Sequence, residues 1–505
     1  MKLRNLLVAG FALVVLAACG NAESRGGGKD HLVIAQNGEP ASLDPHAVNN
    51  ALSAVVINQI MERLVRQDED GNFHPWLAES WEPIDDVTYQ FNLRQDVYFH
   101  NGEPLRASDV VFSLRRAANS PTSAPILGML NPDAIIEVDD FTVHVATFEP
   151  FMPLIAHLAH TSGNILSQVA VETLGDEFGN APIGTNAFMF ESWSRGDAIE
   201  LVRFEDYYGE ATPVNRITIR NVPEAANRLI ELETGQVDIA LDIAPSDITS
   251  VAQNSDLNLL REPNLRSHYI GFNVQVEPFN DVRVRQAINH AIDVDLIISS
   301  ILEGVGIRIN GPLGDGWGTH PNLPEYEFNV EVALSLLAEA GFPDGFTTSI
   351  LTNQDNNDRA IAEAVQSKLS DIGITATISN VENASFLELV ASGYNGIFVT
   401  GWTNVTRDPD YGLTPLFHTI NQGTGGNRTF YSNPEVDALL DAARSERDLD
   451  ARRQLYYDVQ EIIVADAPWV FLKNGEIVIA TRNNVRGFRA NPSGHHRFSA
   501  VYFEE

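Results

Sequence analysis

Short runs with apolar residues at alternate positions give way repeatedly to longer runs that carry an apolar face every three or four residues. Leu32-Val33-Ile34-Ala35 predicts a strand, and Leu52 to Val65 a helix leading into an exposed turn at Asp68-Glu69-Asp70-Gly71. Residues 76–150 have a different texture. Trp81, Tyr89 to Leu93 and Val97 to Phe99 predict a β-meander, Ala107 to Ala118 a helix, and Ile135 to Val138 with Phe141 to Val145 a hairpin around Asp139-Asp140. From Ile217 the units become helix followed by strand, as in Glu224 to Thr234 before Val237 to Ala240. After Phe272 the expected order is helix (282–292), helix (330–340), strand (347–351), helix (358–372) and strand (375–379). Mixed content without one continuous alternation predicts two or three α/β or α+β domains.

The N-terminus reads as an address rather than as fold. Lys2 and Arg4 precede Leu6 to Ala18, an apolar run too short to span a bilayer but suited to the core of a signal peptide. It ends Leu16-Ala17-Ala18-Cys19-Gly20. This resembles the bacterial lipobox, which implies cleavage before Cys19, lipidation of its thiol and anchoring to a membrane. Gly20 to Lys29 is a polar, glycine-rich tether with nothing to bury. No later segment offers the roughly 20 apolar residues of a membrane span.

Composition narrows the function classes. The 505 residues hold 33 Lys and Arg against 68 Asp and Glu, a formal charge of −35 that repels phosphate backbones and excludes nucleic acid as partner. At about 150 residues per domain, that length allows about three domains. A single Cys excludes a disulfide framework and Cys-based zinc sites. Only four of the cations are Lys, and acidic excess with scarce Lys suits a saline exterior. His157-x-x-His160 places two imidazoles on one face of a helix, but no third ligand follows at metalloprotease spacing, and His495-His496 stands alone. No nucleophile elbow or phosphate loop is present, and Asp139-Asp140 and Asp408/Asp410 sit in turn contexts. The expectation is therefore a non-enzyme, with no cofactor, no metal ligands and no catalytic residues.

Nine segments then line up in order: Ala41-Ser42-Leu43-Asp44-Pro45, Trp76 to Trp81, Val97 to Val110, Pro182 to Thr185, Glu205 to Tyr208, Phe279 to Ala287, Ala338 to Pro343, Tyr431 to Asp437 and Ala467-Pro468-Trp469. Most have local scaffold reasons. Ser108 is placed to cap a helix beginning at Asp109, Asn433 precedes a helix with an early Pro434, and Gly341 ends a helix that Pro343 cannot resume. Together, and behind a lipobox, they make the chain resemble the extracellular solute-binding proteins of family 5, the peptide- and nickel-binding components of ABC importers. The resemblance implies an α/β fold of the two-lobed periplasmic-binding-protein type, class II-like with a hinge between the lobes, plus an extra α+β domain. The expected parts are signal peptide 1–18, tether 19–30, lobe one 31–55, 181–272 and 476–505, extra domain 56–180, and lobe two 273–475. It further implies a monomeric receptor outside the cytoplasmic membrane, facing the periplasm or on the cell surface, which hands its solute to ABC importer permease subunits.

The ligand is narrowed by departures from the pattern. In dipeptide-binding relatives an Asp after the Gly-Trp pair holds the ligand ammonium; here that position is Val405. The Arg that takes the carboxylate in some relatives falls near Thr352. Residues 401–468 instead resemble the glutathione-binding members, so the expected ligand is a peptide-like solute, a short peptide or a glutathione-like compound. Nickel or an oligosaccharide is the alternative within the family, and a secreted hydrolase the alternative outside it. The nominated ligand contacts are Asn49 and Asn50, Thr185 and Asn186, Asn353 and Gln354, and Trp402, Asn404, Arg407 and Asp408. Trp402 offers a flat wall, the amides and hydroxyls neutral hydrogen bonds, Arg407 a fork for a carboxylate and Asp408 a partner for an ammonium. Asp408 is equally placed to cap a helix.

Overall fold

The computed structural model describes residues 29–504; Cys19, the expected lipidation point, and the apolar run before it lie outside the described residues. Two long antiparallel strands, Leu257–Phe272 and Trp469–Arg482, run through the middle of an 11-stranded sheet. Beyond Trp469–Arg482 follow Ile239–Ala240, His31–Gln36, Arg216–Asn221, Ala198–Arg203 and Phe188–Ser194, which form lobe one. Beyond Leu257–Phe272 follow Ile397–Thr403, Thr347–Thr352 and Thr375–Asn380, which form lobe two. Parallel pairing flanks His31–Gln36 in the first and Thr347–Thr352 in the second.

The crossing pair breaks register where the lobes meet. Pro263 stands opposite Glu476 and Ser267 opposite Asn474, so Asn264, Leu265 and Arg266 oppose Gly475 alone. An extra-residue bulge of this kind bends the strand that carries it. Gly475 is required there: a Cβ would lie 2.6 Å from the Asn264 amide.

Successive residues of a strand face opposite sides, and lobe two exploits this with two cores. Ile270, Ile350, Val399 and Val470 pack on helices Val282–Ala291, Val330–Glu339 and Asn356–Ser370. Tyr269, Leu351, Phe398 and Trp469 pack on Pro409–Phe417, Pro434–Ser445 and Leu449–Asp466. Lobe one gathers Ile34, Val56, Phe188, Leu201 and Ile217 around helix Ala51–Ile60.

The extra domain is a four-stranded antiparallel sheet in the order Ala78–Pro83, Thr88–Leu93, Thr142–Ala146, Ile136–Asp139. Its inward positions, Tyr89, Phe91, Val143 and Val145, meet Val110 and Leu114 of helix Ala107–Asn119. Each such buried aliphatic or aromatic side chain contributes about 1.5–3 kcal/mol.

Three local expectations are corrected. The first helix stops at Ile60, because Met61 turns extended and residues from Val65 pair with Phe73–Pro75 across the Asp68–Asn72 turn. The helix predicted from Ala107 begins there, so Ser108 lies inside it instead of capping it, and the Asp109 carboxylate accepts from the Arg106 N–H at 3.0 Å. His157 and His160 do not share a helix: Leu154–Leu158 ends between them, and His160 caps the next turn.

Candidate functional site

A cavity of 530 Å³ lies beside the register slip, where the crossing strands, lobe two and the extra domain meet. The crossing strands supply Asn264, Leu265 and Asn474 to its lining; lobe two supplies Leu313, Trp317 and Asn404; the hairpin of the extra domain supplies Gln67 and Phe73. Aromatic and aliphatic walls with a few neutral amides make a setting for a small ligand that carries its own hydrogen-bonding groups.

The charged groups at this cavity are largely spent on the protein itself. Asp408 caps helix Pro409–Phe417 by accepting from the Asp410 N–H at 3.0 Å, and its carboxylate pairs with Arg452 at 2.7 Å, both side chains almost wholly buried. Arg452 also donates to the Ala443 carbonyl (3.0 Å) and the Tyr456 hydroxyl (2.9 Å). Two residues on, Asp410 accepts from Arg444 at 2.8 and 3.2 Å and from Thr414 at 2.7 Å. Burial pushes the Asp410 carboxyl up, but the Arg444 pair outweighs it and holds the carboxyl below its ordinary value.

Arg407 sits in the left-handed region, with φ +60°, and reaches across the cleft. It donates to the backbone carbonyls of Asp68 (3.1 Å) and Glu69 (3.0 Å) in the extra-domain turn, and burial lowers its pKa. From the C-terminal segment, Arg497 holds Glu69 (2.9 Å) and Arg489 holds Asp70 (2.9 Å). The Asp68–Asn72 turn is thus the knuckle at which lobe one, the extra domain and lobe two meet.

Of the nominated residues, the structure brings Asn404, Arg407 and Asp408 to the cavity. Trp402 lies partly buried on the lobe-two core beside it, its Nε1 donating to the Tyr411 carbonyl at 2.9 Å. Asn50 caps helix Ala51–Ile60 by accepting from the Ser53 N–H at 2.9 Å, and Asn49 is exposed beside it. Thr185 and Asn186 are buried under the junction of lobe one and the extra domain. Thr185 donates to Glu62 at 2.8 Å, and Asn186 to the Asn58 carbonyl at 2.7 Å. Glu62 also accepts from the Tyr207 and Tyr208 hydroxyls, yet burial pushes its pKa up to about 7. Asn353 accepts from the Asp355 N–H at 2.9 Å, and Gln354 is exposed; both follow strand Thr347–Thr352, away from the cavity.

Both anchor positions of the dipeptide pattern are closed. Val405 packs against the extra-domain core, and Thr352 is fully buried. Among the described residues no group of three or more His, Cys, Asp or Glu is arranged to hold a metal.

The cavity residues missed in the sequence include Asn264, Asn474, Trp317, Phe73 and Arg452. Asn264 and Asn474 owe their place to a register slip that leaves no local signature. Trp317 had a usable signal, an aromatic inside the glycine-rich run Gly311 to Gly318.

Known proteins share this arrangement across nearly the whole chain. A glutathione-binding protein, GsiB, from Pectobacterium atrosepticum is 31% identical over 470 residues, 91% of each chain. The structure of HbpA2 from Haemophilus parasuis superimposes with a TM-score of 0.87 at 31% identity, covering 94% of this chain and 100% of that one. The periplasmic binding protein DppA from Helicobacter pylori, in complex with the peptide STSA, superimposes with a TM-score of 0.79 at 28% identity, covering 94% and 98%. The profile of bacterial extracellular solute-binding proteins, family 5 Middle, matches residues 72–424. A two-lobed sheet with a crossing pair, a lateral extra domain, a cleft at the hinge and this likeness lead to one assignment: the chain belongs to the bacterial extracellular solute-binding proteins of family 5.

Proposed function

We propose that the protein is a receptor that captures a peptide-like solute, a short peptide or a glutathione-like compound, between its lobes and delivers it to an ABC importer. It acts as a monomer outside the cytoplasmic membrane, held there by a lipid on Cys19. The moving parts are residues 31–55, 181–272 and 476–505 on one side and 273–475 on the other, with 56–180 riding beside the first. Closure over the solute stabilises one form of the receptor, and the permease reads that form.

The observation that carries this reading is the composition of the 530 Å³ cavity. Trp317, Phe73 and Leu313 offer apolar walls, and Asn264, Asn404 and Asn474 offer amides that match a peptide backbone in both donor and acceptor. The names of the relatives support the same class: glutathione for GsiB, a bound peptide for DppA. Binding is the chemistry this supports: Asp408 and Arg452 at the cavity are locked into a buried pair, and the relatives are named for what they bind.

A thermal-shift and calorimetric screen of the purified protein tests the reading with reduced glutathione, di- to pentapeptides, Ni²⁺ and oligosaccharides. Glutathione or a short peptide should raise Tm and be recovered unchanged. A shift with Ni²⁺ or oligosaccharide alone would replace the substrate class, and appearance of cleaved peptide would replace the receptor by a hydrolase.

A further inference from the structure

We propose that a pocket of 40 Å³ at the junction of lobe one, the extra domain and the C-terminal segment binds a small monovalent anion of halide size, held by Arg66, Arg497 and the Asn58 amide. Helix Ala51–Ile60 supplies Asn58 to its lining, strand Val65–Gln67 supplies Arg66, and the C-terminal segment supplies Arg497. At roughly 10–15 Å³ for each water, the space holds about three waters. It admits a halide and excludes a peptide or a sugar acid.

One donor in the wall is orphaned. Asn58 is 1% exposed, and its Oδ1 accepts from Arg63 Nη1 at 3.1 Å. A guanidinium only donates, so the amide oxygen must face Arg63 and Nδ2 is left as the free end. That Nδ2 has no hydrogen-bond partner. A buried donor without an acceptor is costly, and an anion beside it removes the cost. The other amides at the pocket are spent: Gln59 donates to the Val55 and His496 carbonyls at 2.7 and 2.8 Å, and Asn186 to the Asn58 carbonyl.

Three guanidiniums meet at this junction in a chain whose formal charge is −35. Arg63 is 6% exposed, its Nε has no partner, and among the described residues no carboxylate pairs with it. Its Cζ lies 5.1 Å from the centre of the Trp76 ring, which lines the pocket. Arg66 is half-buried, and among the described residues no hydrogen bond or ion pair holds its guanidinium. Burial, then repulsion from Arg497, lowers the pKa of Arg66 and brings that of Arg63 to about 9.

The carboxylates within reach are committed elsewhere. Glu69 is held by Arg497 at 2.9 Å and lies 3.8 Å from Arg489. Asp68 pairs with His74 at 2.7 Å and accepts from the Asn72 N–H at 2.8 Å. Glu62 follows its own set of hydroxyls, from Thr185, Tyr207 and Tyr208, and burial leaves it partly protonated near neutrality. Water could serve the orphaned donors but brings no charge to set against the surplus. An anion supplies both, and fastens three parts of the molecule together.

Thermal unfolding of the purified protein in sodium chloride, sodium bromide and sodium gluconate at matched ionic strength tests the site. Screening is then equal, and gluconate is too large for the pocket. Chloride and bromide should raise Tm by about 2 °C or more over gluconate, saturating with concentration. Arg66→Met should abolish this difference, whereas a salt effect on the whole surface would persist in it. Asn58→Asp, which supplies a carboxylate from the protein itself, should make the halide dispensable. Crystals of the native protein grown with bromide should show anomalous density within hydrogen-bond reach of Arg66. Equal Tm in all the salts, a halide gain that survives in Arg66→Met, or water alone in the pocket of the bromide crystals overturns the site.

Discussion

Arg452 and Arg266 occupy opposite faces of the same lobe-two sheet and have opposite fates. Arg452 is buried, paired with Asp408, bonded to a carbonyl and a tyrosine hydroxyl, and set 5.2 Å from the centre of the Trp317 ring. Arg266 is half-exposed, lies against Gly401, and among the described residues no hydrogen bond or ion pair holds its guanidinium. A charge removed from water must be answered by the protein, and Arg452 is answered in full. A half-exposed charge needs no protein partner, because water solvates it. Glu62 is the intermediate case, a buried carboxyl answered by three hydroxyls and no cation. The contrast teaches that a charged residue at a cavity is not thereby a ligand contact; what matters is whether its bonds are already spent.

The comparison breaks first at the buried pair. Arg452→Met should cost about 3–5 kcal/mol, because it leaves Asp408 buried without a counter-ion. Urea unfolding measures this, and a loss below 1 kcal/mol would mean that Asp408 finds water on its own.

Glu62 sharpens it next. Its folded pKa is raised above the unfolded value, so its contribution is full below about pH 4.5 and fades as pH rises toward about 7. That is worth about 3 kcal/mol for a wholly buried group. The stability of the native protein relative to Glu62→Gln should therefore fall between pH 4.5 and 8; parallel pH profiles for the two would remove the strain assigned to Glu62.

Asn50→Ala should cost about 1 kcal/mol, the worth of a helix cap, without altering peptide affinity. An affinity loss there would move the site toward the first strand of lobe one. Smallest is Arg266→Met, expected in urea unfolding to stay within about 0.5 kcal/mol of native. A large destabilisation would show that Arg266 is structural after all, and would erase its contrast with Arg452.

Much of the fold was legible because its signals are local. The helix from Val282, the helix ending before Gly341 and the alternation in Thr142–Ala146 follow from period, cap and turn residues that lie next to one another. The cap of the helix from Ala107 falls at Arg106, two residues before the expected Ser108, because the Asp109 carboxylate reaches back one turn to the Arg106 N–H. In the site, Asn404, Arg407 and Asp408 came from one loop, but the other half of the cavity comes from Asn264, Asn474 and Trp317, far apart in the chain. Asn50 and Asn353 carry the same functional group as Asn404, yet each spends its oxygen on a nearby backbone N–H.

The sequence by itself determined a strongly acidic chain that alternates strands and helices in the order of a solute-binding family. Those properties depend on composition, periodicity and short motifs. Only the tertiary structure decided which polar groups are free. Whether Arg407 reaches the Asp68 and Glu69 carbonyls, or Arg452 reaches Asp408, depends on side chains brought together from distant segments. A hydrogen bond once made is no longer available to a ligand, and no local pattern records which bonds are made.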